Sequence, residues 1–220
     1  MALVGLQECL DRAPVLLRSR LEWFDRNRRL EIPWPEPLEP GQFLATHAKG
    51  IFKPKGSDYA LSVRQTLGGP YSDKEVIERD DGSWLYAYHQ EGADPQDRDR
   101  LFTNAGLIRC MRDRVPVGVM LQTKVTFPVE YRVLGLALVI DWIDGYFLLE
   151  GFSPQRKAHS SPQSAITDAL EAETPKVADV TPTNELDASW DARVRSMQEI
   201  VRRQGQSVFR TSLLLSLIHI

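Results

Sequence analysis

Asp80 to Gly92 reads DDGSWLYAYHQEG, and the reading of this stretch decides the fold. Asp81-Gly82 is a turn signal, and after it Trp84, Tyr86 and Tyr88 alternate with Ser83, Leu85, Ala87 and His89. A strand with this pattern carries one wholly aromatic face. Such a wall is either packed core or a platform on which a flat ligand such as a nucleobase stacks.

The chain around it has 220 residues, 42% of them hydrophobic, enough for one sizeable core with appended segments or for two small domains. That composition excludes a fibre and a wholly disordered protein. The formal net charge of -3 provides no global basic field, so any nucleic-acid contact has to come from local patches. Cys9 and Cys110 lie far apart with no Cys or His partner at ligand spacing, which implies neither zinc nor a disulfide framework and makes a reducing, cytoplasmic setting the default. No apolar run reaches the roughly 18 residues a membrane span needs, and Glu8 and Asp11 stand where a signal peptide would be basic and then apolar. A soluble protein without membrane contact is expected.

From Leu3 to Leu30 the apolar residues Leu3, Leu6, Leu10, Leu16, Leu17, Leu21 and Phe24 recur at helical spacing, broken into two helices at Pro14. Arg18, Arg20, Arg26, Arg28 and Arg29 mark either a solvated face or a helix that contacts phosphates or a partner. IPWPEPLEP over 32–40, with four prolines, predicts an extended connector that closes a helical segment over 1–40. Between 41 and 153 short strand-like runs alternate with turns: 50–52, 60–63, 83–89, 115–121, 131–140 and 146–152, with Asp144-Gly145 as a hairpin signal. Leu101, Leu107, Ile108 and Met111 predict one helix among them. The expected class is α+β, a mostly antiparallel barrel or sandwich. Residues 154–188 are rich in Ser, Thr, Pro, Ala and acids and predict a flexible linker. A basic amphipathic helix follows over 189–214, and the greasy ending at 215–220 is set aside as a non-native tail.

No nucleotide loop, catalytic triad or metal set can be assembled. Gly68 and Gly69 lack a following Gly-Lys-Ser/Thr, and His47, His89, His159 and His219 show no ligand spacing. The serial order of several pieces, however, resembles a known family. Gly68-Gly69-x-Tyr71-x-Asp73, then Asp81-Gly82 and the aromatic strand, a Gly-containing polar loop, Thr103-Asn104 opening a helix, Val115-Pro116-Val117, Tyr131-Arg132-Val133, Trp142 and Phe147-Leu148 are similar to the SRA (SET- and RING-associated) domain. The resemblance covers residues 45–152. It implies a PUA-like twisted β-barrel with one or two packed helices that flips a modified cytosine, 5-methylcytosine or a related base, out of double-stranded DNA.

Carried over by position, the resemblance makes Tyr71 one stacking partner of the flipped base and Tyr86 or Tyr88 the other. Asp73 becomes the carboxylate that accepts from the cytosine amino group, and Gly68 and Gly69 permit close backbone approach. The Tyr-Thr-Gly of the family is replaced by Tyr88-His89-Gln90-Glu91-Gly92, so His89 or Gln90 is a candidate reader of the base edge. Lys53, Lys55, Arg64, Arg98, Arg100, Asn104, Arg109 and Arg112 are the candidate DNA-backbone contacts.

Past the linker, Arg203-Gln204-Gly205-Gln206 with Phe209-Arg210 and Leu213-Leu214 looks like the entry helix of an HNH nuclease domain. The chain ends before that domain's metal-binding core, so no catalytic residue, metal ligand or cofactor is expected in it, and the divalent metal belongs to the missing part. These likenesses together imply the reader part of a modification-dependent restriction endonuclease, as monomer or homodimer. A PUA-like RNA-binding or small-ligand module without nuclease activity is the alternative, and a purely structural interaction domain is a third reading, in keeping with the acidic balance.

Overall fold

The computed structural model of the chain describes residues 3–67, 76–94, 96–143, 145–162 and 164–165. The helical spacing at the start becomes β1 (Leu3–Gly5), α1 (Leu6–Arg12) and α2 (Val15–Arg26). Pro14 is the N-cap of α2, a place where its missing N–H leaves no helical bond unmade. Leu6, Leu10, Leu17, Leu21 and Phe24 are buried in the same cluster as the inner side chains of the sheet. The stretch 1–40, expected to stand apart from the barrel, is built into its core.

The strands β2 (Glu31–Ile32), β3 (Ile51–Phe52), β4 (Ser62–Gln65), β5 (Ile77–Glu78), β6 (Trp84–His89), β7 (Val117–Lys124), β8 (Glu130–Ile143) and β9 (Tyr146–Gly151) form one mixed sheet. Its order is β3-β4-β7-β8-β9-β6-β5, with β2 added to the beginning of β8. β4 and β7 run parallel; the other pairs are antiparallel. β8 serves two partners, its first half pairing with β7 and its second with β9. Gly135 at φ 109° and register shifts at Val119/Met120 and Val139/Asp141 let it bend between them, as bulges sharpen twist. The connector residues Glu31 and Ile32 are a strand rather than simple extended chain, and Trp34 meets Tyr131 edge to face.

Two helices complete the α+β architecture, α3 (Asp97–Arg100) and α4 (Phe102–Asp113). The expected barrel is not closed among the described residues, because β3 and β5 end the strand order without pairing to each other. The sheet nevertheless curls until Tyr88 of β6 reaches Gly50, next to β3, where an added Cβ would overlap the tyrosine hydroxyl.

Order also continues past 154, where composition predicts a linker. β10 (Lys157–His159) pairs antiparallel with β1, Leu3 opposite His159. Arg79 then ties the chain further on. Its Nη1 and Nη2 donate to the two Glu150 carboxylate oxygens at 2.9 Å each, Nη1 to Ser83 Oγ at 2.9 Å, and Nη2 to the Ala165 carbonyl at 2.7 Å. Glu150 is fully buried, and burial pushes its carboxyl pKa up. The rest of 154–188, and all of 189–214 and 215–220, lie outside the described residues.

Cys9 and Cys110 are free thiols inside the core. Burial raises them to about 11 and about 12, so the nucleophilic thiolate is scarce as well as hidden. The native protein should resist iodoacetamide at mildly alkaline pH and take up label at both cysteines once denaturant is added. Fast labelling of the native protein, read by intact mass, would contradict this packing.

Candidate functional site

β6 is buried on both faces, which explains why its alternation has no polar side. Trp84, Tyr86 and Tyr88 point into the curl and join the main core, while Leu85 and Ala87 join a second apolar cluster with Ile77, Leu148 and Ala165. Trp84 lies on Gly151 of the neighbouring strand so closely that a Cβ there would overlap the indole. It is a packing residue held in a glycine notch. Tyr86 and Tyr88 are adjacent on the same inner wall at 2% and 8% exposure, ring centroids 6.3 Å apart in an edge-on arrangement. Gly50 was not singled out in the sequence, although its lack of a Cβ makes room for the Tyr88 hydroxyl.

β4 leaves the sheet at this inner wall and continues through Leu67 to the loop that contains Gly68, Gly69, Tyr71 and Asp73; those four candidates lie outside the described residues. At the root of the loop Leu67 N–H donates to Gln122 Oε1 at 3.0 Å. Nearby strand ends hold two buried polar atoms with no hydrogen-bond partner among the described residues, Gln65 Oε1 and Thr123 Oγ1. Buried polar groups of this kind are costly unless a ligand or solvent meets them.

The residues after the strand are engaged inside the fold. Gln90 is buried, donating from Nε2 to the Asp94 carbonyl at 2.6 Å and accepting the Trp142 indole N–H at 2.9 Å. His89 Nδ1 is 2.7 Å from the Gln90 carbonyl, and its ring meets Tyr146 edge-on. Glu91 is the organiser here. Its carboxylate takes Lys49 Nζ at 3.2 Å, the Ile51 N–H at 3.2 Å and the Thr103 hydroxyl at 2.7 Å. The polar loop is therefore stapled to β3 and to the first turn of α4.

The candidate backbone contacts divide by accessibility. Asn104 is fully buried, with Oδ1 accepting Glu91 N–H at 3.0 Å and Nδ2 donating to the Glu91 and Asp97 carbonyls at 2.8 and 2.9 Å. Arg64 turns inward, with Nη2 at 3.3–3.4 Å from the Thr46, His47 and Lys49 carbonyls and the guanidinium over Trp34. Both residues hold loops in place, a job different from the one the sequence suggests. Arg98 pairs with Asp99 and lies over Trp142, Arg100 reaches Gln96, and Arg109 meets Asp58 at 3.5 Å. Arg112 and Tyr59 both hydrogen-bond Asp113 and hold its carboxyl down at about 2. Lys55 is exposed, and Lys53 runs along Gly106 to place Nζ 5.9 Å from the Phe102 ring. Phe102 itself, 56% exposed with Lys49 Nζ 4.5 Å above it, was missed in the sequence.

A second concavity, of about 250 Å³, opens beyond the other end of β6, lined by Arg29, Glu31, Glu78, Trp84, Arg132 and Leu134. Its arginines are already paired, Arg29 with Glu78 at 3.5 Å and Arg132 with Glu31 at 3.0 Å. No group of three or more metal-ligating side chains occurs among the described residues, and none of their helices is long and apolar enough to cross a membrane.

Fold and site together define an α+β unit whose open mixed sheet curls around an aromatic wall. No protein-family model matches the chain, and no curated protein matches its sequence. Solved structures give two distant likenesses. The SRA domain of SUVH5, crystallised with fully methylated CG DNA, is 18% identical over 61% of this chain and 90% of its own, with a TM-score of 0.32. KRYPTONITE, in complex with mCHH DNA, an H3(1-15) peptide and SAH, is 16% identical over 72% of this chain and 42% of its own, with a TM-score of 0.33. The chain thus spans less than half the length of KRYPTONITE.

Proposed function

We propose that this chain reads a modified cytosine in double-stranded DNA by base flipping, as the SRA-like recognition part of an HNH-type restriction endonuclease. The observation that carries the reading is the pair Tyr86 and Tyr88, set side by side on the inner wall of a curled sheet. The motif-bearing loop 68–75 departs from the next strands of that sheet. A base leaving the duplex gives up a few kcal/mol, which aromatic stacking and hydrogen bonds to its Watson-Crick edge return. Tyr71 and Asp73 would supply the second ring and the carboxylate. Lys53, Lys55, Arg100, Arg109 and Arg112 are the proposed backbone contacts that remain at the surface, each adding affinity without sequence information. The chain supplies binding; hydrolysis and its divalent metal belong to the nuclease domain that 189–214 would begin.

Gel shifts with one duplex sequence in unmodified, methylated and hydroxymethylated form test this reading. Wild type should prefer a modified form. Tyr86→Ala and Tyr88→Ala should each be compared by thermal melting, and whichever ring stacks on the base should cost about 1–3 kcal/mol of modified-duplex binding when removed. Equal binding of wild type to all three duplexes, or tighter binding to RNA, would sink the proposal in favour of the RNA-binding module.

A further inference from the structure

The β7–β8 hairpin ends in an apolar point. Lys124 and Glu130 pair across its neck and form an ion pair at 3.1 Å. Beyond them Val125 is 59% and Phe127 95% exposed. Scattered exposed apolar side chains need no explanation, but these two share one tip, and Leu67 at 46% lies at the root of the neighbouring loop. The parallel register of β4 and β7, Gln65 opposite Leu121, makes both strands exit at the same end of the sheet. Gln122 fastens the two exits, accepting Leu67 N–H at 3.0 Å through Oε1 while its Nε2 lies 3.4 Å from the Lys124 carbonyl.

We infer that this tip is a wedge for duplex DNA, with Phe127 entering between neighbouring base pairs beside the nucleotide that the 68–75 loop engages. The inference rests on the base-flipping reading. Its shape argues for a stacked duplex over a protein partner: a protein interface needs about 800 Å² per side, whereas a five-residue point presents little beyond one ring and one valine. Apolar side chains of this kind unstack a base step and kink the duplex when inserted. Fastening through Gln122 makes the wedge and the stem of the loop a single mechanical piece, so the opening of a step and the capture of a base would be coupled.

The test uses the whole chain and a modified duplex with 2-aminopurine next to the modified cytosine. Wild-type binding should brighten the probe as its step is unstacked. Phe127→Ala should bind about tenfold more weakly and leave the probe mostly dark. Its plot of log affinity against log salt should keep the wild-type slope, because no charge is lost. Phe127→Trp should retain both binding and brightening. Wild-type affinity and brightness in a folded Phe127→Ala protein would overturn the wedge while leaving base flipping intact. So would loss of self-association with unchanged DNA binding, which would make the tip a contact between two copies. A wild-type protein indifferent to the modification would remove the flipping reading and the wedge with it.

Discussion

Arg79→Ala should lower the unfolding free energy by about 3–5 kcal/mol, the range for removing one partner of a buried ion pair. Glu150 has no exposure to water, and Arg79 supplies both of its 2.9 Å charge-assisted bonds. Without the guanidinium the carboxyl must take up a proton or remain an uncompensated charge, and burial alone already raises its pKa. The same substitution frees Ser83 Oγ and the Ala165 carbonyl of their bonds to Arg79. Urea unfolding of the single variants and of Arg79→Met/Glu150→Leu separates the contributions. The double variant should regain much of the loss, since an apolar pair of similar volume replaces a buried ion pair at little cost. A double variant as unstable as Arg79→Ala would show that the pair itself, rather than the orphaned charge, dominates.

Phe24→Ala should cost a similar amount, about 3–5 kcal/mol, the usual loss for a buried aromatic ring. Phe24 has no solvent exposure and lies flat against Gly118 of β7, where no other residue could leave room for it. The cavity would open at the junction of α2 with the middle of the sheet, far from a surface that could collapse into it. Guanidinium midpoints at constant slope would give the value. A loss under about 1 kcal/mol, the size expected of a surface change, would mean that the first helices are an appendage, as the proline-rich boundary at 32–40 suggests in the sequence.

That boundary shows what the sequence could and could not disclose. Periodicity located α2, β6 and α4 because each buries a stripe at its own period, and Gly145 at φ 87° sits in the turn its residue pair announced. What periodicity could not reveal was which elements share a core. Two residues, Glu31 and Ile32, pair with β8 and convert a connector into an edge strand, and a two-residue strand leaves no pattern. The three residues of β10 are likewise too few to outweigh the composition around them.

The candidate site was legible to the extent that chemistry follows residue type. Tyr86 and Tyr88 face inward together, as alternation requires. Gln90 and Asn104 carry amides that serve equally well to read a base edge or to tie a loop, and only the fold discloses Trp142, Asp94, Glu91 and Asp97 as their partners. Arginine is similarly ambiguous. Arg20 and Arg28, drawn from a helix that looked solvated, donate to the Phe43 and Gly82 carbonyls, and burial lowers the pKa of both.

The ladder between β1 and β10 has a mechanical meaning. Leu3 faces His159 at its outer end and Gly5 faces Lys157 at its inner end, so tension that separates the strands at Leu3 and His159 acts on one pair at a time and peels the ladder open. Peeling needs far less force than sliding strands past one another, because sliding must break every bond together. The Arg79 grip on Ala165 lies further along the chain, so a pull arriving from beyond residue 165 meets that buried anchor before it reaches the ladder. A tug from one direction is thus absorbed at a strong point, and a tug on Leu3 falls on a weak one.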